Sequence, residues 1–339
     1  MDDKLRPRIG VTLGDPAGIG PEIVVKALMD PQVFSETVPV LYGSPVVLER
    51  AMGVAGYPGV MEVLDRPEAA TGKAGVLQIF PTSDITSPPP FGTVTEEGGR
   101  EAGRAIVSAI DAARAGKIDG INTAPLNKEA LRLGGYHYPG HTEMLTELFA
   151  SQGVFTMFVT GRLHIFFLTR HHPLRNVPAL LTIDSVYQGL VRCVGFLREL
   201  GFAHPTLALA ALNPHGGENG LLGSEEGEVL APAVARAITD GYPVVGPIPA
   251  DAVFFQALQG RYTGVLSLYH DQGHVAAKTL DFYGTVSVTL GLPVIRTSVD
   301  HGTAFDIAGQ GIADAGGQVA ALTTAARLIR QRQALGRPR

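Results

Sequence analysis

Short runs of apolar, mostly β-branched residues alternate along this chain with longer stretches whose apolar positions recur every three or four residues. The first kind, at residues 9–13, 38–42, 118–123, 156–160, 164–169, 206–212, 244–248, 265–268 and 286–290, predicts strands. The second, at 21–29, 98–115, 142–151, 183–200, 224–239, 251–258 and 318–332, predicts helices. Alternation of this kind implies an α/β fold with a mainly parallel sheet covered by helices on both faces. The proline-rich stretch 87–90 reads as a connection between lobes, with further crossings expected near 120–125 and 213–214. One lobe is expected from both termini, residues 1–124 plus 291–339, and a second from residues 125–290.

Composition narrows the class. At 339 residues the chain exceeds one typical domain, and 45% hydrophobic against 17% charged residues, with 42 Gly and 24 Pro, fits a loop-rich enzyme rather than a coiled coil or a disordered chain. A formal charge of −5 with no basic run of four argues against a nucleic-acid partner, and the basic stretch 327–339 reads as a solvated helix end. The start, Met1 to Arg6, is no apolar leader, and no segment approaches the ~20 apolar residues that span a bilayer, so a cytoplasmic protein without a membrane partner is expected. Cys193 is the only cysteine; it excludes an internal disulfide and a thiolate zinc site and is assigned to core packing.

Two glycine-rich turns carry the first chemical signal. Leu13-Gly14-Asp15-Pro16-Ala17-Gly18-Ile19-Gly20-Pro21-Glu22 lies between a strand and a helix, where backbone N–H groups can hold an anion or a tight contact between lobes. It is no dinucleotide fingerprint, because Asp15-Pro16-Ala17 interrupts the spacing. Near the other end, His301-Gly302-Thr303-Ala304-Phe305-Asp306-Ile307-Ala308-Gly309-Gln310 lets backbone approach a flat, charged ligand, and Asp300 or Asp306 serves either ribose hydroxyls or the turn itself. Together the two turns suggest a nucleotide-using enzyme.

Three histidines, His171, His215 and His270, follow strand-like runs in small or polar loops. On a parallel sheet such loops share one rim, and three imidazoles with an open fourth position suit a catalytic divalent metal; solvated or backbone-bonded rings would look the same in sequence. His141, Thr142 and Glu143 open a helix, either capping it or binding phosphate there. Lys278 and Arg296 point to an anionic substrate. Asp251 is either an N-cap or an acid near the reaction.

These motifs occur in one order across nearly the whole chain, joined by Thr123-Ala124-Pro125-Leu126-Asn127-Lys128, Gly246-Pro247-Ile248-Pro249-Ala250-Asp251 and Leu290-Gly291-Leu292-Pro293-Val294-Ile295-Arg296-Thr297. In this the chain resembles the 4-hydroxythreonine-4-phosphate dehydrogenase family of pyridoxal phosphate biosynthesis. The resemblance implies a two-lobed fold like that of isocitrate and isopropylmalate dehydrogenases. It implies His171, His215 and His270 as ligands of one divalent ion (Zn, Mg or Co), in a site shared by a homodimer where His270 of one chain meets His171 and His215 of the other. It places the phosphorylated substrate on His141, Thr142, Lys278, Ser287 and Arg296, with Asp251 and Lys278 at the reaction centre. NAD or NADP would lie against His301, Gly302, Thr303, Ala304, Asp306 and Gly309.

Two departures stand out. Ser287 occupies a position where the family pattern has asparagine, and His172 follows His171 where an apolar residue is usual. The resemblance implies NAD(P)-dependent oxidation of 4-phosphooxy-L-threonine at its 3-hydroxyl, then decarboxylation to 3-amino-2-oxopropyl phosphate. The alternatives are a sister dehydrogenase of phosphorylated threonate or erythronate, one of a cis-dihydrodiol dicarboxylate, and a catalytically silent metal- or phosphate-binding protein.

Overall fold

The computed structural model describes residues 6–335, so the expectations for residues 1–5 and 336–339 lie outside the described residues. The chain forms two compact units. One holds the residues up to Val154 together with those from Val286 onward, the other Phe155–Thr285. The first unit starts with β1 (Arg8–Thr12), α1 (Gly20–Ala27), α2 (Pro31–Glu36), β2 (Val38–Gly43), α3 (Pro45–Ala55), β3 (Val60–Val63), β4 (Val76–Pro81), α4 (Glu96–Arg114), β5 (Gly120–Thr123), α5 (Lys128–Leu133) and α6 (His141–Leu148). The second contains β6 (Phe155–Thr160), β7 (Leu163–Phe167), α7 (Val177–Leu180), α8 (Ile183–Glu199), β8 (Leu207–Ala210), α9 (Ala231–Thr239), β9 (Val244–Ile248), α10 (Ala250–Leu258), β10 (Gly264–Ser267) and α11 (His270–Leu280). The chain then closes the first unit with β11 (Val286–Leu290), β12 (Ile295–Val299) and α12 (Gly316–Ala334).

In the first unit the strand order is β3-β4-β2-β1-β5-β12-β11, parallel except for the β11/β12 pair. Helix α4 shows why the elements form where they do. Thr95 caps its N-terminus by accepting from the Gly98 N–H, Glu96 and Glu97 meet the positive end of the dipole, and Arg114 closes the last turn. Its Ile106 and Ile110 then pack on Val40, Tyr42 and Ile121 of the sheet. Register sorts the central strands into two faces. Thr12, Thr123, Ser298 and Ser287 form one row across β1, β5, β12 and β11, and Arg296 with Thr289 lies in the neighbouring row on the same face. On the opposite face Asn122 donates to Thr297 and receives from Gln318 of α12.

The second unit has the order β6-β7-β10-β8-β9, with β6/β7 antiparallel and the other pairs parallel. Phe158, Ile165, Phe167, Val265 and Ala277 form its core, and Cys193 is buried in α8 as expected. Among the described residues no single helix is long and apolar enough to cross a membrane.

Several expectations need correction. The unit boundaries fall at 154/155 and 285/286, so residues 125–154 and 286–290 fold with the terminal unit, and the segments 87–90, 120–125 and 213–214 each stay within one unit. The sequence pattern does not predict strands β3, β4 and β12 or helices α2, α3, α5, α7 and α11. Helix α11 looks like a loop in sequence because His270-Asp271-Gln272-Gly273 is polar and contains glycine. Gln272 is nevertheless satisfied inside the core, accepting from the Leu268 N–H and donating to the Ala211 carbonyl, while a Cβ on Gly273 would stand 2.5 Å from Phe167. The basic stretch from 327 to the end of α12 is packed rather than solvated: Leu328 and Ile329 are buried, and Arg330 pairs with Glu36 at 2.9 Å.

The exit from β1 depends on Gly14, whose φ is +73° and whose Cβ would lie 2.2 Å from the Pro125 carbonyl oxygen. Gly14→Ala is therefore expected to destabilise the protein by about 1–3 kcal/mol, read as a lower urea midpoint at unchanged slope. An unchanged midpoint would show that the turn tolerates a side chain.

Candidate active site

The hydroxyl-bearing face of the first unit surrounds a charge. Arg296 is 3% exposed, held beneath the surface because β12 is an interior strand flanked by β5 and β11. Its Nε and Nη2 donate to Thr123 Oγ1 and its Nη1 to Thr289 Oγ1 at 3.1 Å. Among the described residues no carboxylate is hydrogen-bonded to it. Burial pushes its pKa down to about 10, against the opposing charge of Glu143, so the guanidinium stays charged at neutral pH. Ser287 shares this face of β11 and is half-buried.

Helix α6 brings His141 to the same neighbourhood. Its pKa lies well below the ordinary value, chiefly because the ring is desolvated and also because Arg296 and Lys128 repel a second positive charge; a hydrogen bond to the Ala124 backbone pulls the other way. The residue as a whole is half-buried, yet Nε2 is sealed from solvent without a hydrogen-bond partner. The helix opens at Gly140 without a side-chain cap, so neither His141 nor Thr142 caps it. The result is a buried guanidinium, a neutral imidazole with an open nitrogen and a lysine on one side of the sheet. Glu143 is the carboxylate whose charge reaches Arg296, and with Lys128 on the same side the array keeps a positive balance suited to an anion.

The two glycine turns meet each other in this unit. The Ile19 N–H donates to the Thr303 carbonyl, the Gly92 N–H to Ala17, and a Cβ on Gly18 would lie 2.8 Å from Thr303. Glu22, buried, accepts from the Ala313 N–H, and Lys26 bridges Glu22 to the carbonyls of Gly311 and Ala313. The first turn is thus a clasp on the last one, and the alternative of an anion at the start of α1 falls away because residues 13–25 are buried. In the last turn Gly302 faces open space, the room a flat ligand needs, whereas Gly309 lacks a side chain to admit Phe91, 2.3 Å from where a Cβ would be. His301 and Asp306 are exposed; Thr303 and Ala304 are half-buried, with Ala304 at φ +40°.

The second unit holds the histidines. His171 and His270 have ring centroids 6.0 Å apart within one chain, so it is His171, not His172, that faces His270. His270 starts α11 and uses Nδ1 on Asp271 at 2.7 Å, which leaves Nε2 outward, the arrangement that carboxylates impose on metal-binding imidazoles. Below it, four residues along the helix, His274 stacks on His270 at 3.6 Å and packs against Phe158 and Phe167. His274 was missed in the sequence, although its i+4 spacing from His270 and that of Lys278 from His274 put all three on one helix face. Lys278 lies 5.0 Å from the Phe282 ring centroid. His215 is exposed on a turn of its own. Asp251 is exposed in the first turn of α10, whose N-cap is Pro249, so the N-cap expectation is wrong. By chemistry the three imidazoles suit a divalent ion, but among the described residues of one chain no three metal-ligating side chains converge.

Residues 35–325 match the model of the family described as pyridoxal phosphate biosynthetic protein PdxA. A relative from Cutibacterium acnes named "putative D-threonate 4-phosphate dehydrogenase" is 48% identical over 91% of this chain and 89% of its own. The solved structure of a 4-hydroxythreonine-4-phosphate dehydrogenase from Klebsiella pneumoniae superposes with a TM-score of 0.87 at 38% identity, covering 95% of this chain and 99% of that one. A terephthalate 1,2-cis-dihydrodiol dehydrogenase from Burkholderia xenovorans is less similar, with a TM-score of 0.64 and 27% identity over 95% and 98%.

An anion beside Arg296 would offset that charge's repulsion of a protonated His141, raise the His141 pKa against the burial that chiefly lowers it, and make binding take up protons. Sulfate, whose charge is constant near neutral pH, is expected to show this uptake by calorimetry in buffers of different ionisation enthalpy, and to bind more weakly as pH rises. Uptake that is absent, or equal in His141→Asn, would remove His141 from the anion site.

Proposed function

Because the chain belongs to the PdxA family, we propose that it oxidises a phosphorylated four-carbon hydroxy acid, D-threonate 4-phosphate or a close stereoisomer, with NAD or NADP as hydride acceptor. The observation that carries this reading is the guanidinium of Arg296 buried among hydroxyls beside an open imidazole, an array suited to a phosphate or carboxylate. The name of the Cutibacterium acnes relative supports the acid. So does Ser287, whose single hydroxyl on the Arg296 face matches a substrate 2-hydroxyl, whereas the family's asparagine offers a longer reach and both donor and acceptor.

In this reading Arg296, His141 and Thr142 hold the anionic end of the substrate, Ser287 orients carbon 2, and Lys278 and Asp251 serve proton transfer at the 3-hydroxyl. A divalent ion (Zn, Mg or Co) held by His171, His215 and His270 would supply Lewis-acid polarisation of the reacting oxygen. A homodimer would complete the site, but the expected split, His270 from one chain against His171 and His215 of the other, meets an opposing observation: His171 and His270 already lie 6.0 Å apart within one chain, with His215 on a separate turn. A nicotinamide nucleotide held by the turn at His301 to Gly309 would supply the hydride acceptor for carbon 3, the hydroxyl proton going to the protein. The resulting 3-oxo acid loses carbon dioxide, its bonding electrons forming an enolate that a proton quenches, to leave dihydroxyacetone phosphate. The open space at Gly302 supports reading the turn at His301 to Gly309 as the nicotinamide nucleotide's side of the site.

A second reading rests on the Klebsiella pneumoniae structure: the substrate carries an amine at carbon 2, and the product is 3-amino-2-oxopropyl phosphate for vitamin B6 synthesis. A panel of D-threonate, D-erythronate and 4-hydroxythreonine 4-phosphates and a dihydrodiol dicarboxylate, with added divalent metal, separates the two. NADH or NADPH is expected to form fastest from D-threonate 4-phosphate and to stop on chelation, and Ser287→Asn is expected to shift preference toward the amino acid. Equal or faster turnover of 4-hydroxythreonine-4-phosphate would select the second reading. Full activity after chelation would remove the metal, and no activity on any substrate would leave a binding protein.

A further inference from the structure

We propose that Glu226 is a positioning residue that holds the turn bearing His215 in its metal-binding conformation, an inference that rests on reading His215 as a metal ligand. Five consecutive residues, His215 to Asn219, have left-handed backbones with φ of 54°, 69°, 76°, 43° and 56°. Two are glycines, for which this costs little; His215, Glu218 and Asn219 carry side chains that oppose it. A run like this persists only where its surroundings enforce it, and such strain collects at functional sites.

One buried carboxylate does the enforcing. Glu226, 6% exposed, accepts through Oε1 from the backbone N–H groups of Leu212 and Asn213 at 2.8 and 2.7 Å, and through Oε2 from Asn213 Nδ2 at 2.8 Å. The same Oε2 lies 2.8 Å from where a Cβ on Gly217 would stand, so the carboxylate fills the hollow under the middle of the turn. The entry to the turn is thereby hydrogen-bonded to the same group that packs beneath its centre. Burial alone would raise the Glu226 pKa, but the hydrogen bonds from Asn213 and Leu212 outweigh it and hold the group ionised. Asn213 Nδ2 is shared with Glu225 Oε2 at 2.7 Å, a secondary tie at the edge of the same cluster. Glu226 is therefore arranged to pre-form a ligand rather than to react.

The test uses the full-length protein stripped of metal. Cobalt(II) affinity is measured by competition with a chromophoric chelator, together with the visible spectrum of the cobalt-loaded protein, for wild type, Glu226→Gln, Glu226→Asp and His215→Ala. Glu226→Gln, whose amide oxygen can still accept from the two backbone N–H groups but whose NH2 then faces Asn213 Nδ2, itself a donor, and which loses the charge, is expected to weaken cobalt binding roughly 10- to 100-fold and to alter the spectrum at saturation, with Glu226→Asp recovering part of both. Should the glutamine variant fail to fold, the aspartate variant carries the same expectation at smaller size. Wild-type affinity and spectrum in whichever Glu226 variants fold, alongside loss of binding in His215→Ala, would overturn the inference and leave the metal reading standing. Unchanged binding in His215→Ala would overturn both.

Discussion

Burying a guanidinium with threonine hydroxyls, and among the described residues no carboxylate, as its hydrogen-bond partners is the constraint around which the first unit is arranged. Removing such a charge from water costs several kcal/mol unless polar groups replace the lost hydration. Threonine hydroxyls at 123 and 289 replace some of it, and the central sheet is built to present them: in-register strands set four hydroxyls in one row and Arg296 with Thr289 in the next. Burial first, and the same charge after it, hold the His141 pKa down, and its Nε2 is left without a hydrogen-bond partner. A ligand-free protein that tolerates this arrangement stores an affinity for anions, and the proposed phosphorylated substrate is what would release it.

The other parts of the chemistry are positioned by comparable devices. The two glycine turns, far apart in sequence, are clasped by Glu22 and Lys26 so that the later one is held at its Ala313 end and open at Gly302. In the second unit a carboxylate orients His270, an aromatic stack supports it from below, and Glu226 braces the turn that carries His215. His270 and the His215 turn thus rest on second groups that set their direction, of which Glu226 is buried and Asp271 exposed.

Much of this architecture was legible because the buried parallel strands are continuous apolar runs and the long helices keep a clear period. What escaped has a physical reason in each case. β3 is an exposed edge strand without the usual alternation, β12 carries Arg296, Thr297 and Ser298 where a strand's apolar residues would stand, and α11 hides a satisfied Gln272 and a close-packed Gly273 in what looks like a loop. The unit boundary escaped because α6, read with the middle of the chain, packs on the terminal unit. At the site, the histidines and Arg296 stood out by residue type, but their supporting partners did not. Glu226 and His274 are recognisable only once folding shows what they touch, and the clasp role of the first glycine turn competes in sequence with an anion site of identical composition.

The central claim, that Arg296 is a buried charge kept for an anion, is tested most directly by thermal melting of wild type and Arg296→Met with and without inorganic phosphate. Phosphate is expected to raise the wild-type melting temperature in proportion to its binding, whereas the variant should melt at or above the ligand-free wild-type temperature and gain nothing from phosphate. A variant that melts far lower yet is still stabilised by phosphate as wild type is would show that Arg296 serves the fold and not the ligand.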